Sequence, residues 1–465
     1  MISAFSWSRW GLCALSVSCA PAAQPAAPPP AASHASRPTP AATPDPPAAR
    51  TTTKERALQE RLSAALAYVS GIRNLTAKSE VKGRLISKPE IERFLTHELD
   101  EQTPKDMLEA TEALLYGFGT VDAGFDYRAS IIGLMTSQLL GFYDPKQKTF
   151  FVEGALSGDE ADVTLWHELV HALQDQHYDL SRLSDYEPDA GDRQSAVHAL
   201  AEGDATSAML DAMLKPSGSS ALQVPQSLFQ AQTLLGAAAM TAPPVLVRSL
   251  VAPYVDGLAF TNDLRRSGGF AAVDEAWRSP PISTEQLLHP AKFRAREAPL
   301  VVPLPPAPAH APSLGERFHD VMGEQTLRIF LEEWLPAGTA AAAAADWGGD
   351  RLAAFADESR EHWAIGWHLR FDSPAAAERA FIAFARAAPL TERSAAHSGP
   401  DDVSVAKKYR DKLCRVRRGQ GALALVRTGV ELAVTLGPFA RRGQSVALDP
   451  DCGAALAWAS RIAAH

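Results

Sequence analysis

The stretch Trp166-His167-Glu168-Leu169-Val170-His171 sets two imidazoles four residues apart, with a carboxylate beside the first. On a helix, residues i and i+4 share one face, so both rings can reach a single zinc ion at about 2.0–2.1 Å. Glu168, next to the first ring, then faces a water on that ion and is placed to act as general base. A purely structural zinc site usually has four protein ligands and needs no base, so Glu168 favours hydrolysis over scaffolding. The chemistry expected is zinc-dependent cleavage of peptide bonds, with a peptide or protein as substrate and one zinc ion as cofactor. The competing expectation is a catalytically idle zinc-binding or adhesion module displayed on the cell envelope.

The third ligand decides the subclass. His177 stands at the H-E-x-x-H-x-x-x-x-x-H spacing of metzincins, but that arrangement needs a glycine where this chain has Gln174. Ala172-Leu173-Gln174-Asp175-Gln176 is a run that a helix continues through, which would swing His177 away from the metal. Glu202, in Ala199-Leu200-Ala201-Glu202-Gly203-Asp204-Ala205, is the preferred third ligand, carried on a second helix. Gly203 costs about 1 kcal/mol relative to alanine inside a helix. Small neighbours (Ala201, Gly203, Ala205) would let this helix approach the first closely, which accounts for a glycine that propensity alone rejects. Asp204 is a candidate for orienting a ligand histidine from behind, and His198 lies one turn before Glu202. Tyr143, Tyr186, His198 and His289 are all candidates for stabilising an oxyanion, and the sequence does not choose among them.

H-E-L-V-H-A-L-Q-D-Q followed by A-L-A-E-G-D-A resembles a family of gluzincin-like zinc metallopeptidases, many of them exported bacterial proteins. G-F-Y-D-P-K-Q-K-T-F-F-V upstream and S-T-E-Q-L-L-H-P-A-K-F at 283–293 resemble its other signatures, so that the likeness runs over residues 130–295. The resemblance implies His167, His171 and Glu202 as zinc ligands and Glu168 as the catalytic base.

The elements that must position these groups follow from periodicity and caps. Leu58, Leu62, Ala65 and Leu66 give residues 54–70 an apolar helical face. Helices are also expected at Pro89–Leu99 and Pro104–Tyr116, with each proline in a first turn. Gly141 to Val152 runs through Asp144-Pro145-Lys146 and reads as a hairpin. Its edge would suit an extended peptide, or it is a plain structural hairpin. Ser157-Gly158-Asp159-Glu160 is a capping-box pattern for a helix running to about His177. Further helices are expected near 192–214, 225–240 and 244–267.

The proline-rich segment 300–313 reads as a linker. After it come helices near 314–334 and 337–346, a strand at Trp363–Phe371, and strands near 412–418, 421–427 and 430–436. The fold class expected is therefore α+β. A mostly helical zincin-like catalytic domain with a small hairpin sheet (54–299) precedes a smaller α+β domain (314–465) of unassigned role. Trp334, Trp347, Trp363, Trp367 and Trp458 are either its core or a binding surface.

A formal net charge of -9 gives no sign of a phosphate-binding surface, so nucleic acid is not an expected partner. Residues 1–19 read as an export signal. Arg9 supplies the positive region, and Leu15-Ser16-Val17-Ser18-Cys19 resembles a bacterial lipoprotein signal, in which Cys19 would carry the lipid. Residues 20–53 are nearly all Pro, Ala, Ser and Thr, a composition that makes a stiff spacer and buries no core. No apolar run is long enough to span a bilayer, so the membrane enters only through that anchor. The expected location is outside the cytoplasm, envelope-anchored or secreted. Cys414 and Cys452 remain, either as one disulfide in an oxidising compartment or as two buried thiols.

Overall fold

The computed structural model describes residues 53–154, 159–183, 186–237, 240–387, 411–417, 421–441 and 451–464. The segment read as an export signal with Cys19, the expected tether before residue 53 and the expected cap Ser157 lie outside the described residues. The chain is α+β, as expected.

Its first part comprises α1 (Thr53–Arg73), β1 (Lys82–Ile86), α2 (Lys88–Gln102), α3 (Lys105–Phe118), α4 (Tyr127–Gln138), β2 (Gly141–Asp144), β3 (Thr149–Glu153), α5 (Asp159–Tyr178), α6 (Leu180–Leu183), α7 (Gly191–Leu214), α8 (Gln226–Ala237), α9 (Pro244–Arg278), α10 (Thr284–Leu288) and α11 (Pro290–Ala295). The second comprises β4 (Gly315–Asp320), α12 (Gly323–Leu331), α13 (Ala337–Ala344), β5 (Trp347–Ala356), β6 (His362–Phe371), α14 (Pro374–Ala387), β7 (Lys412–Arg417), β8 (Gly421–Thr428), β9 (Glu431–Ala440) and α15 (Cys452–Ile462).

The hairpin β2–β3 forms as predicted, with Tyr143 opposite Phe150, and β1 adds a parallel strand to give the order β1-β3-β2. Leu62, Leu66 and Val69 of α1 pack with Phe150 and with Leu165, Leu169 and Leu173 of α5. Each such side chain, once buried, stabilises the fold by about 1.5–3 kcal/mol. The i, i+4, i+8 spacing of those leucines fixes how α5 is rotated about its axis. Two residues further along is about 200° around the helix, so His167 and His171 turn to the opposite flank, towards α7. Hydrophobic pattern thus aims these two histidines.

Several expectations about the second part are corrected. The helix expected over 314–334 begins as strand β4. Phe318 and Asp320 alternate inward there and pair with β5, and the helix α12 starts only at Gly323, whose φ of +78° breaks the chain direction. Strand β5 has no strand signal in its sequence, because the alanines of Leu352-Ala353-Ala354 carry helical propensity; it is held as a strand by β4 and β6 on either side. The second sheet has the order β4-β5-β6-β9-β8-β7.

The segment 300–313 does lack helix and strand, yet it does not separate two cores. Val302 is buried, Leu300 N donates to Gly348 O at 2.6 Å, and Trp458 Nε1 donates to Pro306 O at 2.7 Å. A single apolar cluster joins Leu95, Leu114, Met135 and Leu246 of the first part to Phe330, Trp367, Phe384 and Leu436 of the second. Residue 313 therefore marks a change of secondary-structure type within one continuous interior. Trp347, Trp363, Trp367 and Trp458 are all buried, which makes these four core residues. Cys414 of β7 and Cys452 of α15 are joined as a disulfide, with Cα atoms 5.8 Å apart.

The motif at 283–293 fastens these parts together. Thr284 N and Oγ1 donate to Asp192 Oδ1 at the start of α7, at 3.0 and 2.5 Å, and Gln325 N of α12 donates to Thr284 Oγ1 at 3.1 Å. His289 lies 2.8 Å from Glu324. Lys292 sits among Glu285, Glu297 and Asp372 at 2.6–2.7 Å, so this acidic group already holds a cation in its ammonium.

Burial pushes the Asp192 carboxyl up to about 8, with Asp350 and Glu285 adding to the rise while the Thr284 bonds oppose it. Its Oδ2 has no hydrogen-bond partner among the described residues. The unfolded chain loses this proton near pH 4 and the folded chain keeps it to about 8. The folded state therefore binds more protons across that window, and Asp192 makes stability fall as pH rises. Asp192→Asn is expected to flatten that fall while keeping the Thr284 bonds. Urea unfolding at pH 5 and pH 8 measures it; equal pH slopes in the two proteins would place the proton elsewhere.

Candidate metal centre

Helix α5 is buried on all sides through its central turns, and α7 lies across it. At their contact, His167 Nε2 stands 3.0 Å from Glu202 Oε2 and 3.0 Å from His171 Nε2, and His171 Nε2 stands 3.5 Å from Glu202 Oε2. Three donors held tetrahedrally at about 2.0–2.1 Å from one zinc would stand about 3.3 Å apart. The observed separations bracket that value. All three side chains are buried, so their donor atoms are shielded from bulk water. Two imidazoles and a carboxylate form the donor set of a catalytic rather than a four-ligand structural site. The residues fit zinc.

Electrostatics points the same way. Burial alone would raise the Glu202 carboxyl, but the His171 charge and hydrogen bonds from His167, His171 and His198 hold it well below the usual range. Burial lowers the pKa of His167, against an opposing hydrogen bond to Glu202. Both directions favour the proton-free donors that a metal requires.

Glu168 is fully buried beside His167 in the chain, and its Oε2 accepts the Tyr143 N–H of β2 at 2.8 Å. Strand β2 is an edge strand of its sheet, and this edge faces the site. The Tyr143 hydroxyl is turned elsewhere and donates to Asp175 Oδ2 at 2.7 Å. That phenol is therefore committed, and Tyr143 meets the site through its backbone.

The other residues singled out by sequence are distributed unevenly. His198 joins the centre, 3.2 Å from Glu202 Oε1. His177 does not: α5 continues through Gln174 as expected, and His177 lies 2.8 Å from Thr76 O. His289 pairs with Glu324, and Tyr186 packs at the edge of the shared core. Asp204 touches no ligand histidine. It accepts from Gln174 Nε2 at 3.0 Å, Arg73 Nε at 2.5 Å and Trp277 Nε1 at 2.9 Å.

Gly203 is required, but by a different neighbour from the one expected. A Cβ there would lie 2.0 Å from Gly257 O, and one on Gly257 would lie 1.9 Å from Ala199 O. The close approach is between α7 and α9, and it seats α7 firmly enough to aim Glu202. It also brings Tyr254 of α9 alongside His167, with ring centroids 5.9 Å apart and an interplanar angle of 29°. Sequence reasoning missed Tyr254, because a tyrosine inside an apolar helix carries no spacing signal. Gln174 signals only compatibility with helix in the sequence, yet its Oε1 lies 2.8 Å from His171 Nδ1.

A family model described as "Domain of unknown function (DUF8575)" matches residues 311–439, from just before β4 to the end of β9. The match leaves out His167, Glu168, His171 and Glu202. No curated protein and no solved structure matches the chain.

Proposed function

We propose that this chain is a gluzincin-like zinc metallopeptidase, in which His167, His171 and Glu202 hold one zinc ion. The observation that carries the reading is the mutual placement of the three donor atoms at 3.0, 3.0 and 3.5 Å, with Glu168 adjacent. Zinc bound there would lower the pKa of a water and polarise a peptide carbonyl. Glu168 would serve beside it as general base and then as general acid to the leaving amine. The Tyr143 amide orients the Glu168 carboxylate for both transfers. Strand β2, at the edge of its sheet beside the site, would suit a peptide laid along it in extended form once the site opens. Tyr254, in ring contact with His167, and His198, in contact with Glu202, are candidates for stabilising a developing oxyanion.

The test is zinc content by elemental analysis of the full-length chain beside Glu202→Ala and His177→Ala. About one zinc per chain is expected, weakened by the Glu202 change and untouched by the His177 change. A metal-replete, folded chain without zinc overturns the reading.

One observation favours the second reading, a zinc protein without turnover. Glu168, His171 and Glu202 have no solvent exposure, so substrate must open the site to reach it. Peptidase assays separate the two.

We also infer an exported, lipid-anchored protein. The Cys414–Cys452 disulfide supports an oxidising compartment. Mass spectrometry of the mature N-terminus checks it: a diacylglyceryl group on Cys19 is the expected result, and an unmodified N-terminus elsewhere would remove the anchor.

A further inference from the structure

Behind the ligands lies a fully buried polar chain that neither composition nor spacing announces. Gln174, one turn beyond His171, is completely buried, and each end of its amide has a distinct set of partners. The nitrogen lies 3.1 Å from Ala201 O and 3.0 Å from Asp204 Oδ2, both acceptors. Rotating the amide would press its oxygen against a carbonyl and a carboxylate, so the orientation is settled by chemistry. The oxygen therefore faces His171 Nδ1 at 2.8 Å. An amide oxygen only accepts, so Nδ1 carries the proton. A neutral His171 then has its lone pair on Nε2, the atom that faces His167 and Glu202.

Asp204 keeps that amide in place. Its Oδ1 accepts from Arg73 and its Oδ2 from both Trp277 and Gln174. Arg73 is itself without exposure and pairs with a second carboxylate, Asp274, at 2.7 Å. Asp204 is thus held by three buried donors, one of them a charge-assisted bond from Arg73. The result is a relay from α1 through α7 to α5, ending on the rear nitrogen of one ligand.

We propose that Gln174 is a positioning residue that holds His171 in the Nδ1–H tautomer, and that Asp204 and Arg73 act on the metal centre through it. The proposal rests on the zinc reading above for its consequence, but its first readout does not need the metal. In the metal-free full-length protein, the imidazole 15N shifts of His171 are expected to show a protonated Nδ1 and an unprotonated Nε2. Gln174→Met, which keeps length and removes all three hydrogen bonds of the amide, is expected to lose that preference. Its zinc affinity, read by competition with a chelator, should fall about 10–100-fold. Asp204→Asn should weaken zinc binding in the same direction. Should Gln174→Met fail to fold, the wild-type shifts and the Asp204→Asn affinity still decide. An Nε2–H tautomer in the wild-type protein overturns the proposal. So does zinc affinity unchanged in folded Gln174→Met or in Asp204→Asn. Absence of zinc binding in the wild type, with His171 still Nδ1–H, would sink the metallopeptidase reading and leave the tautomer assignment standing.

Discussion

Glu168→Gln is expected to keep about one zinc per chain while lowering the rate of peptide hydrolysis about 10²–10⁴-fold. The size follows from the general-base role proposed for Glu168. The specificity follows from the structure. Glu168 is not one of the three side chains whose donor atoms converge, so the ion keeps its ligands. The glutamine oxygen can still accept the Tyr143 N–H, so strand β2 has no reason to move. Zinc analysis alongside cleavage of a quenched peptide mixture measures both quantities. Equal rates in the two proteins would exclude Glu168 as the base. Full zinc with no cleavage by the wild type, over a broad peptide set, would favour the idle zinc protein.

The second large effect is expected from a single methyl group far less conspicuous in the sequence. Gly203→Ala places its Cβ against the backbone of Gly257, at 2.0 Å from the oxygen and 2.1 Å from the carbonyl carbon. No side-chain rotation relieves a clash with backbone, so α7 and α9 must separate. Overpacking of this kind typically costs about 1–3 kcal/mol, and the rigid contact puts this site at about 3 kcal/mol. Glu202 is the adjacent residue, so the same movement draws its carboxylate from the two imidazoles and weakens zinc binding. Gly133→Ala is the control. It lies exposed in helix α4 with nothing within 4 Å of the new Cβ, and should gain up to about 1 kcal/mol from helix propensity. Denaturant unfolding and chelator competition on both variants give the answer. A Gly203→Ala protein as stable as wild type would mean that the two helices have slack.

Sequence alone carried the part of this molecule that is local. His167 and His171 are four apart, and the helix that makes that spacing useful is legible from the capping pattern of Ser157 and Glu160 and the run to His177. The hairpin at 141–152, helices such as 88–102 and 191–214, and the α+β class follow from the same short-range rules of periodicity, caps and turns. Where local preference and tertiary pairing disagreed, the sequence misled. The helical propensity of alanine does not decide β5, whose hydrogen bonds are made with β4 and β6. Leu352, Ala353 and Ala354 are strand because partners on both sides satisfy their backbone. Pro-rich 300–313 looks like a spacer but is fixed by a backbone bond to Gly348 and by Trp458.

At the metal centre the same division holds. The two histidines, the neighbouring glutamate and a short set of third-ligand candidates are all legible along the chain. Packing of the helices was needed to bring Glu202 to within 3.0 Å of His167 and to send His177 to Thr76 instead. Packing also set Tyr254 beside His167 and linked Arg73, Asp204 and Gln174 behind His171. The physical reason is range. Spacing along one helix is fixed by the backbone and can be read residue by residue, whereas contacts between α1, α5, α7 and α9 depend on how whole faces pack, down to two glycines that let two helices touch.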